Sequence, residues 1–349
     1  MASELKIGSM NVRGLADRSK RRDVFNWLRD KKMSIYCLQD IHCTENMMIK
    51  WEAEWGYKTV ICPHRTDSRG VAILLNDNFE YKLHRVKTDP EGNFVALDIE
   101  MAEKRVTLIT CYGPNRDTPT FYENLHQLVE DFQNLSIIIC GDWNLVQDQE
   151  QDTSGYLHEN NKEAKKRVLK LKEDWDLCDP WRENNPQTPR FTWRSGGPPL
   201  KQARLDFFLI SPDLYAQLAM SDIKAGYRTD HSMIIMGIGY GMGSRGRGFW
   251  KLNTSLLHDT EYLEMVRKCI KTVIEQYALP DRDLSSTEVR FNIDDQLFFD
   301  TLKMEIRGMS IAYSSRKKKI RKLEERRLIE ELEDLEQRLS RTPGDDHTG

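Results

Sequence analysis

Six apolar runs in this chain each carry polar residues at or just past one end. They are Asn11, Asp40, Tyr112, Asp142 with Asn144, Asp206, and Asp230 with His231. Any one of them reads as an ordinary turn residue. Together they describe one rim bearing carboxylates, amides, a phenol and an imidazole. Carboxylate and amide oxygens suit a hard cation such as Mg²⁺ better than zinc. With an imidazole and a phenol beside them, the chemistry indicated is attack of water on a phosphodiester. A metal would polarise the phosphoryl oxygen, a base would activate the water, and donors would hold the developing charge.

The elements that must position this rim are legible from periodicity. Residues 137–144, I-I-I-C-G-D-W-N, run from a β-branched stretch into Gly141 and then Asp142 and Asn144. Such a run reads as a fully buried strand, and open sheets place chemistry just past strand ends. Alternation or unbroken apolar runs predict further strands at 5–12, 35–38, 69–75, 81–86, 94–101, 105–112, 204–210 and 232–238. Helical spacing predicts helices at 17–32, 119–132 and 162–175, the second with Pro119 in its first turn. Residues 147–161 read as a polar loop. Residues 184–197, dense in Pro and Gly, read as a long functional loop.

Composition narrows the class. A chain of 349 residues with 39% hydrophobic content can build one large domain and an appendage. A net charge of −3 argues against gripping nucleic acid by bulk charge. The local clusters Lys20-Arg21-Arg22 and Lys165-Lys166-Arg167, and the scatter Arg190, Arg194, Lys201 and Arg204, read singly as solvated faces. Seven cysteines form no C-x-x-C pair, which argues against a zinc cage. Cys37, Cys111 and Cys140 lie in apolar runs and read as small core residues in a reducing compartment. No signal peptide and no membrane span is read, so no membrane partner is expected and the place of action is intracellular.

The last third differs. Residues 241–250 are Gly-rich and read as a linker. Residues 256–277 and 287–313 look helical. Residues 316–341 are highly charged, with leucines at 328, 332, 335 and 339 in heptad spacing. Such a short seam fits a helical hairpin within one chain as well as a coiled coil between chains.

The segments S-M-N-V-R-G, C-L-Q-D-I-H, Y-G-P-N, G-D-W-N, L-D-F-F-L-I-S and T-D-H-S stand here in one order. In that order they resemble the motifs of the endonuclease/exonuclease/phosphatase family. The family includes exonuclease III-like abasic-site endonucleases and the target-nicking nucleases of LINE-type retrotransposons. The resemblance covers about residues 5–240. Residues 246–257, G-R-G-F-W-K-L-N-T-S-L-L, resemble the linker after the nuclease in LINE polyproteins. A reverse transcriptase comes next in those proteins, and none is read here.

The resemblance implies a four-layered α/β sandwich over residues 1–240, two packed mixed sheets flanked by helices, then a helical tail over 251–349. It implies that Asp142 activates or orients the attacking water and that Asn144 positions water and phosphate. Asp40, with Asn11 and Asp230, would hold Mg²⁺, or Mn²⁺ in its place. His231 would contact the scissile phosphate, oriented by Asp206, and Tyr112 would stabilise the pentacovalent phosphate. Thr192, in F-T-W, matches a DNA-contacting loop position, and Arg190, Arg194 and Arg69 are expected beside it on the DNA. One residue departs from the family: Asp40 stands where a glutamate is usual, one methylene shorter.

The expected function is a Mg²⁺-dependent, retrotransposon-derived endonuclease that nicks one strand of target DNA, with nuclear DNA as partner. An abasic-site endonuclease or 3′ exonuclease is the first alternative. An inactive scaffold that binds RNA or protein through its helical tail is the second.

Overall fold

Unbroken apolar strands need cover on both faces, and this chain supplies it in four layers. The computed structural model describes residues 3–101, 103–156, 158–242, 252–279 and 290–341. The chain divides into two compact units. In chain order the first begins with β1 (Ser3–Asn11), α1 (Arg18–Lys31), β2 (Ile35–Gln39), α2 (Met48–Trp55), β3 (Thr59–Cys62), β4 (Val71–Leu75) and β5 (Lys82–Thr88). It continues through β6 (Phe94–Met101), β7 (Lys104–Tyr112), α3 (Pro119–Phe132), β8 (Ser136–Asp142), α4 (Gln149–Asp152), β9 (Thr153–Ser154) and α5 (Lys162–Asp174). It closes with α6 (Pro180–Asn184), β10 (Trp193–Arg194), β11 (Gln202–Ala203), β12 (Asp206–Ile210), α7 (Pro212–Tyr215), β13 (Leu218–Lys224) and β14 (Met233–Met242).

One sheet has six strands in the order β13-β14-β1-β2-β4-β3, and the other five in the order β12-β8-β7-β6-β5. Both are mixed: β1–β2 and β7–β8 pair parallel and the remaining pairs run antiparallel. The sheets pack face to face over a core that includes Ile7, Cys37, Ile73, Leu97, Leu108, Ile138 and Phe208. Outside the first sheet, α1 and α2 bury Val24, Phe25, Leu28, Trp51 and Trp55. Outside the second, α3 and α5 bury Tyr122, Leu125, Val129, Val168 and Leu171. The result is the four-layered α/β sandwich expected.

Local chemistry explains the elements. Asp17 caps α1, its side chain accepting from the Lys20 backbone N–H at 2.7 Å, and Lys32 ends the helix in the left-handed region. Each large apolar side chain on the buried face of α1 contributes roughly 1.5–3 kcal/mol. The edge strand β5 is mostly exposed and carries Lys82, Arg85 and Lys87, charges that discourage pairing with another chain. Arg21 corrects the expectation of a solvated face. It is 3% exposed, bonds Glu54 at 2.6 Å and lies 5.0 Å over the Trp51 ring.

The second unit contains α8 (Thr260–Tyr277) and most of α9 (Asp295–Arg341). Leu256, Tyr262 and Tyr313 form its small core, and the Tyr262 hydroxyl lies 2.7 Å from that of Ser310. The Tyr313 hydroxyl lies 2.8 Å from an Asp259 oxygen and 3.1 Å from a Glu261 oxygen, and these carboxylates also pair with Lys317 and Arg316. One continuous 47-residue helix covers most of what periodicity divides into 287–313 and 316–341. Leu328, Leu332 and Leu335 on it are 40% or more exposed. Residues 243–251, most of the expected linker, lie outside the described residues, as do residues 287–289 and the side chain of Leu339.

Candidate active site

Strand register gathers the rim. Tyr112 ends β7 and pairs with Asp142 at the end of β8, and Asp206, which opens β12, pairs with Asp142 from the other side. Asn11 ends β1 and pairs with Gln39, immediately before Asp40. His231 precedes β14. Asn11, Asp40 and His231 therefore come from the first sheet, and Tyr112, Asp142 and Asp206 from the second. The site straddles the seam between them.

The G-D-W-N turn shows why those residue types are needed. Gly141 has φ +147°, and a Cβ there would sit 1.9 Å from the Cys111 carbonyl oxygen on the adjacent strand. Trp143 is buried and stacks on Phe207 at 4.8 Å, its indole N–H donating to the Phe207 carbonyl at 3.0 Å. The residues on either side, Asp142 and Asn144, line one cleft. Asn144 takes φ +50°, a conformation asparagine tolerates well. Its backbone N–H donates to Asp142 Oδ1 at 3.0 Å and its amide to the Gly113 carbonyl at 2.7 Å.

Asp142, Asp206 and His231 are 1%, 1% and 8% exposed, and their ligand atoms lie within 4.8 Å of one another. His231 Nδ1–H donates to Asp206 Oδ2 at 2.8 Å, which turns Nε2 towards Asp142 Oδ2, 3.8 Å away. Asn11 donates to Asp142 Oδ2 at 2.9 Å. Burial and then the neighbouring Asp206 charge push the Asp142 carboxyl up to about 7, against the pull of His231. Burial disfavours the charged imidazole, but Asp206 and Asp142 outweigh it and raise His231 to about 9. Burial, then the charges of Asp40 and Asp142, push the Tyr112 phenol up, so it stays protonated and able to donate. Asn11, Tyr112, Asp142 and His231 open on this cleft of about 580 Å³, also lined by Arg13, Asp40, Asn115, Trp193 and Asp230, with Asp206 behind His231.

Asp40 sits in the left-handed region at φ +53°. Its Oδ1 accepts from the Arg69 backbone N–H at 2.9 Å and lies 3.0 Å from His42 Nε2. Oδ2 has no hydrogen-bond partner among the described residues. The oxygen-rich donor set facing the cleft fits a hard divalent ion. It differs from the expected trio in one respect. Asn11 is turned to Asp142, and Asp230 Oδ2 accepts from Arg13 at 3.1 Å and from the Trp193 indole at 3.2 Å. Among the described residues, Asp40 Oδ2 and Asp230 Oδ1 are the carboxylate oxygens of this trio left uncommitted.

Thr192 does not reach the surface, which corrects its expected contact with DNA. It is 0% exposed, and its hydroxyl accepts from the backbone N–H groups of Leu205 and Asp206, both at 3.0 Å. It therefore fixes the start of β12 and with it Asp206. Arg190 and Arg194 line neither this cleft nor the pocket beside it, whereas Arg69 lines that pocket. Arg204, read as part of a surface scatter, is 1% exposed and bonds Asp152 and Asp179. Sequence reasoning passed over Arg13, although it follows Asn11 within N-V-R-G and its guanidinium reaches Asp230.

Solved structures share this fold. The AP endonuclease LMAP from Leishmania major is 16% identical with a TM-score of 0.58, covering 68% of this chain and 88% of that one. The 3′ phosphatase NExo from Neisseria, bound to product DNA hairpin, is 20% identical with a TM-score of 0.55, covering 68% of this chain and all of that one. By sequence, the Transposon TX1 uncharacterized 149 kDa protein of Xenopus laevis is 24% identical over 269 residues, 75% of this chain. This chain spans about one fifth of that relative's length, 20%. The model of the Endonuclease/Exonuclease/phosphatase family matches residues 8–231, and the chain belongs to that family.

Proposed function

We propose that the protein is a divalent-metal-dependent endonuclease that hydrolyses DNA phosphodiesters by single-strand nicking. The observation that carries this reading is Asp142. It is a buried carboxylate with its pKa brought to about 7, held by Asn11 and Asn144, beside His231, on an open polar cleft. A base poised near neutrality at such a place is suited to deprotonating water. In the proposed reaction Asp142 takes the proton of the attacking water. As the water oxygen bonds to phosphorus, the phosphorus–oxygen bond to the leaving deoxyribose breaks, and that oxygen takes a proton from solvent to leave as a hydroxyl. His231, kept charged by Asp206, and Tyr112 each donate a hydrogen bond to a phosphoryl oxygen. Mg²⁺ or Mn²⁺, held through Asp40, would neutralise the charge developing on the phosphate. The similarity to a transposon protein supports a retrotransposon origin, and the structural neighbour bound to product DNA hairpin supports DNA as partner. Conversion of supercoiled plasmid to the nicked form with Mg²⁺ or Mn²⁺, abolished by EDTA, tests the reading. No nicking by folded protein with either ion would refute it.

The structural neighbours favour a second reading, action at abasic sites or on 3′ ends. Equal rates on intact and abasic duplex support the first reading, and a strong preference for the abasic or 3′-blocked strand supports the second. No described helix is long and apolar enough to cross a membrane.

Two further outcomes are expected. Asp40→Asn should raise the Mg²⁺ needed for half-maximal nicking about 10–100-fold, because a neutral amide is a poorer ligand. It should also shrink the Mg²⁺-dependent rise in melting temperature. Unchanged midpoints would remove Asp40 from the metal site. A chain ending at Met242 should melt cooperatively and nick DNA, since β14 is the last strand of the first unit and residues beyond it line neither cleft. Precipitation or loss of nicking in that chain would show that the later residues support the nuclease.

A further inference from the structure

We propose that the pocket beside the main cleft, on the far side of Tyr112, binds a second phosphodiester of the same strand, gripped by Arg69 and Arg116. This rests on the nuclease reading and adds that the substrate strand must continue past the cut. The pocket measures about 400 Å³ and shares Asp40, Tyr112 and Asn115 with the main cleft, so a strand leaving the reacting phosphate can enter it directly. Ser68, Asn93 and Thr118 also line it.

Both arginines stand on loops fixed to the catalytic rim. Arg69 donates its backbone N–H to Asp40 at 2.9 Å, and its guanidinium meets the exposed Glu91, the carboxylate at 3.2 Å and the carbonyl at 3.4 Å. Arg116 is exposed, and its guanidinium makes no ion pair among the described residues. Its loop is pinned at one end by the Gly113 N–H to the Asp142 carbonyl, 2.7 Å. At the other end Asp117 accepts from the backbone N–H groups of Glu163 and Ala164, at 3.1 and 2.8 Å, at the start of α5. That commitment spends the nearest acid on a helix N-terminus, where a carboxylate is favoured. A guanidinium carried on a pinned loop beside an open polar pocket is the chemistry that recognises phosphate oxygens. The polynucleotide that supplies one phosphate to Tyr112 supplies the next to this pocket.

The test measures binding of the full chain to a dye-labelled DNA duplex in EDTA by anisotropy over a range of salt. Arg116→Ala should weaken binding about three- to tenfold and lower the salt slope by about one. Arg116→Lys should retain the slope, and Arg69→Ala should act as Arg116→Ala does. In a second arm, neutral methylphosphonates replace single phosphates on either side of the mapped nick. One adjacent linkage should show a loss in the parent that Arg116→Ala does not deepen. Unchanged slopes, or losses that simply multiply at every linkage, would overturn the subsite. Hydrolysis of thymidine 5′-(p-nitrophenyl phosphate), too short to reach the pocket, should be unaffected by Arg116→Ala, and a fall there would count against it. A parent that cuts neither substrate refutes the hydrolytic reading, while the salt slopes still judge the subsite.

Discussion

Asp142→Asn is expected to leave the protein folded and to slow DNA nicking by about 10²–10⁴-fold, the usual cost of losing a positioned base. Asn is nearly isosteric, so Trp143 can keep its stack on Phe207 and Asn144 its turn. The stability sign follows from the pKa. The Asp142 carboxyl is raised from an ordinary 3.8 to about 7 in the fold, so folding binds a proton that the unfolded chain releases. Stability from this group is therefore present at low pH and lost as pH rises through about 7. Asn removes that loss. The amide accepts one of the two bonds that Asp142 takes from the Asn144 N–H and Asn11 Nδ2, which offsets part of that gain. In the absence of metal at pH 8, the variant's melting temperature should therefore stay within a few degrees of the parent's. Undiminished nicking by folded variant would remove Asp142 from the reaction. A clearly lower melting temperature would make its role structural.

Arg204→Ala should produce the largest stability loss. Arg204 forks onto Asp152 at 2.7 and 3.1 Å and reaches Asp179 at 2.5 Å, with all three side chains 2% exposed or less. Its guanidinium also lies over the rings of Trp181 and Phe207, 5.5 and 5.7 Å from their centroids. Truncation leaves two buried carboxylates short of positive charge, although Arg182 still bonds Asp152 at 2.5 Å. Breaking a buried pair in this way costs about 3–5 kcal/mol, or roughly 6–20 °C in melting temperature for a unit of this size. Arg204→Lys should fall between, keeping the charge but losing the fork. Burial raises the Asp152 carboxyl, but Arg204 and then Arg182 hold it below its ordinary 3.8. That contribution is present above pH 4 and disappears as pH falls through the lowered value. A melting temperature within a degree or two of the parent would show that the network contributes little.

Arg204 also marks where sequence reasoning stopped. Beside Arg190, Arg194 and Lys201 it looked like one more surface cation, and nothing local distinguishes it. Its partners lie 25 and 52 residues away, so only the tertiary fold reveals them. Thr192 misled for the same reason, because its hydroxyl serves backbone N–H groups 13 and 14 residues on. The elements were easier. Alternation over 94–101 and Pro-led periodicity over 119–132 yield the bounds that β6 and α3 have. By contrast α2 and β13 were not read. The apolar positions of α2 are interrupted by Lys50, Glu52 and Glu54, and β13 is largely half-exposed. The rim residues were legible because strands end where chemistry begins. Their partition between two sheets was not, since register across a sandwich leaves no mark in periodicity.

The pairing of β1 with β14 has a consequence for how this unit sits within a chain. Ser3 lies opposite Met242, so the polypeptide enters and leaves the sandwich at one spot on one sheet. Such a unit behaves as a cassette. It can be spliced into a host chain, or its ends joined and new ones opened elsewhere, with little loop to close. It also has a weak mechanical axis. Tension between those two ends would load the ladder one rung at a time, and so peel apart the strands that carry Asn11 and follow His231 before anything else gives way.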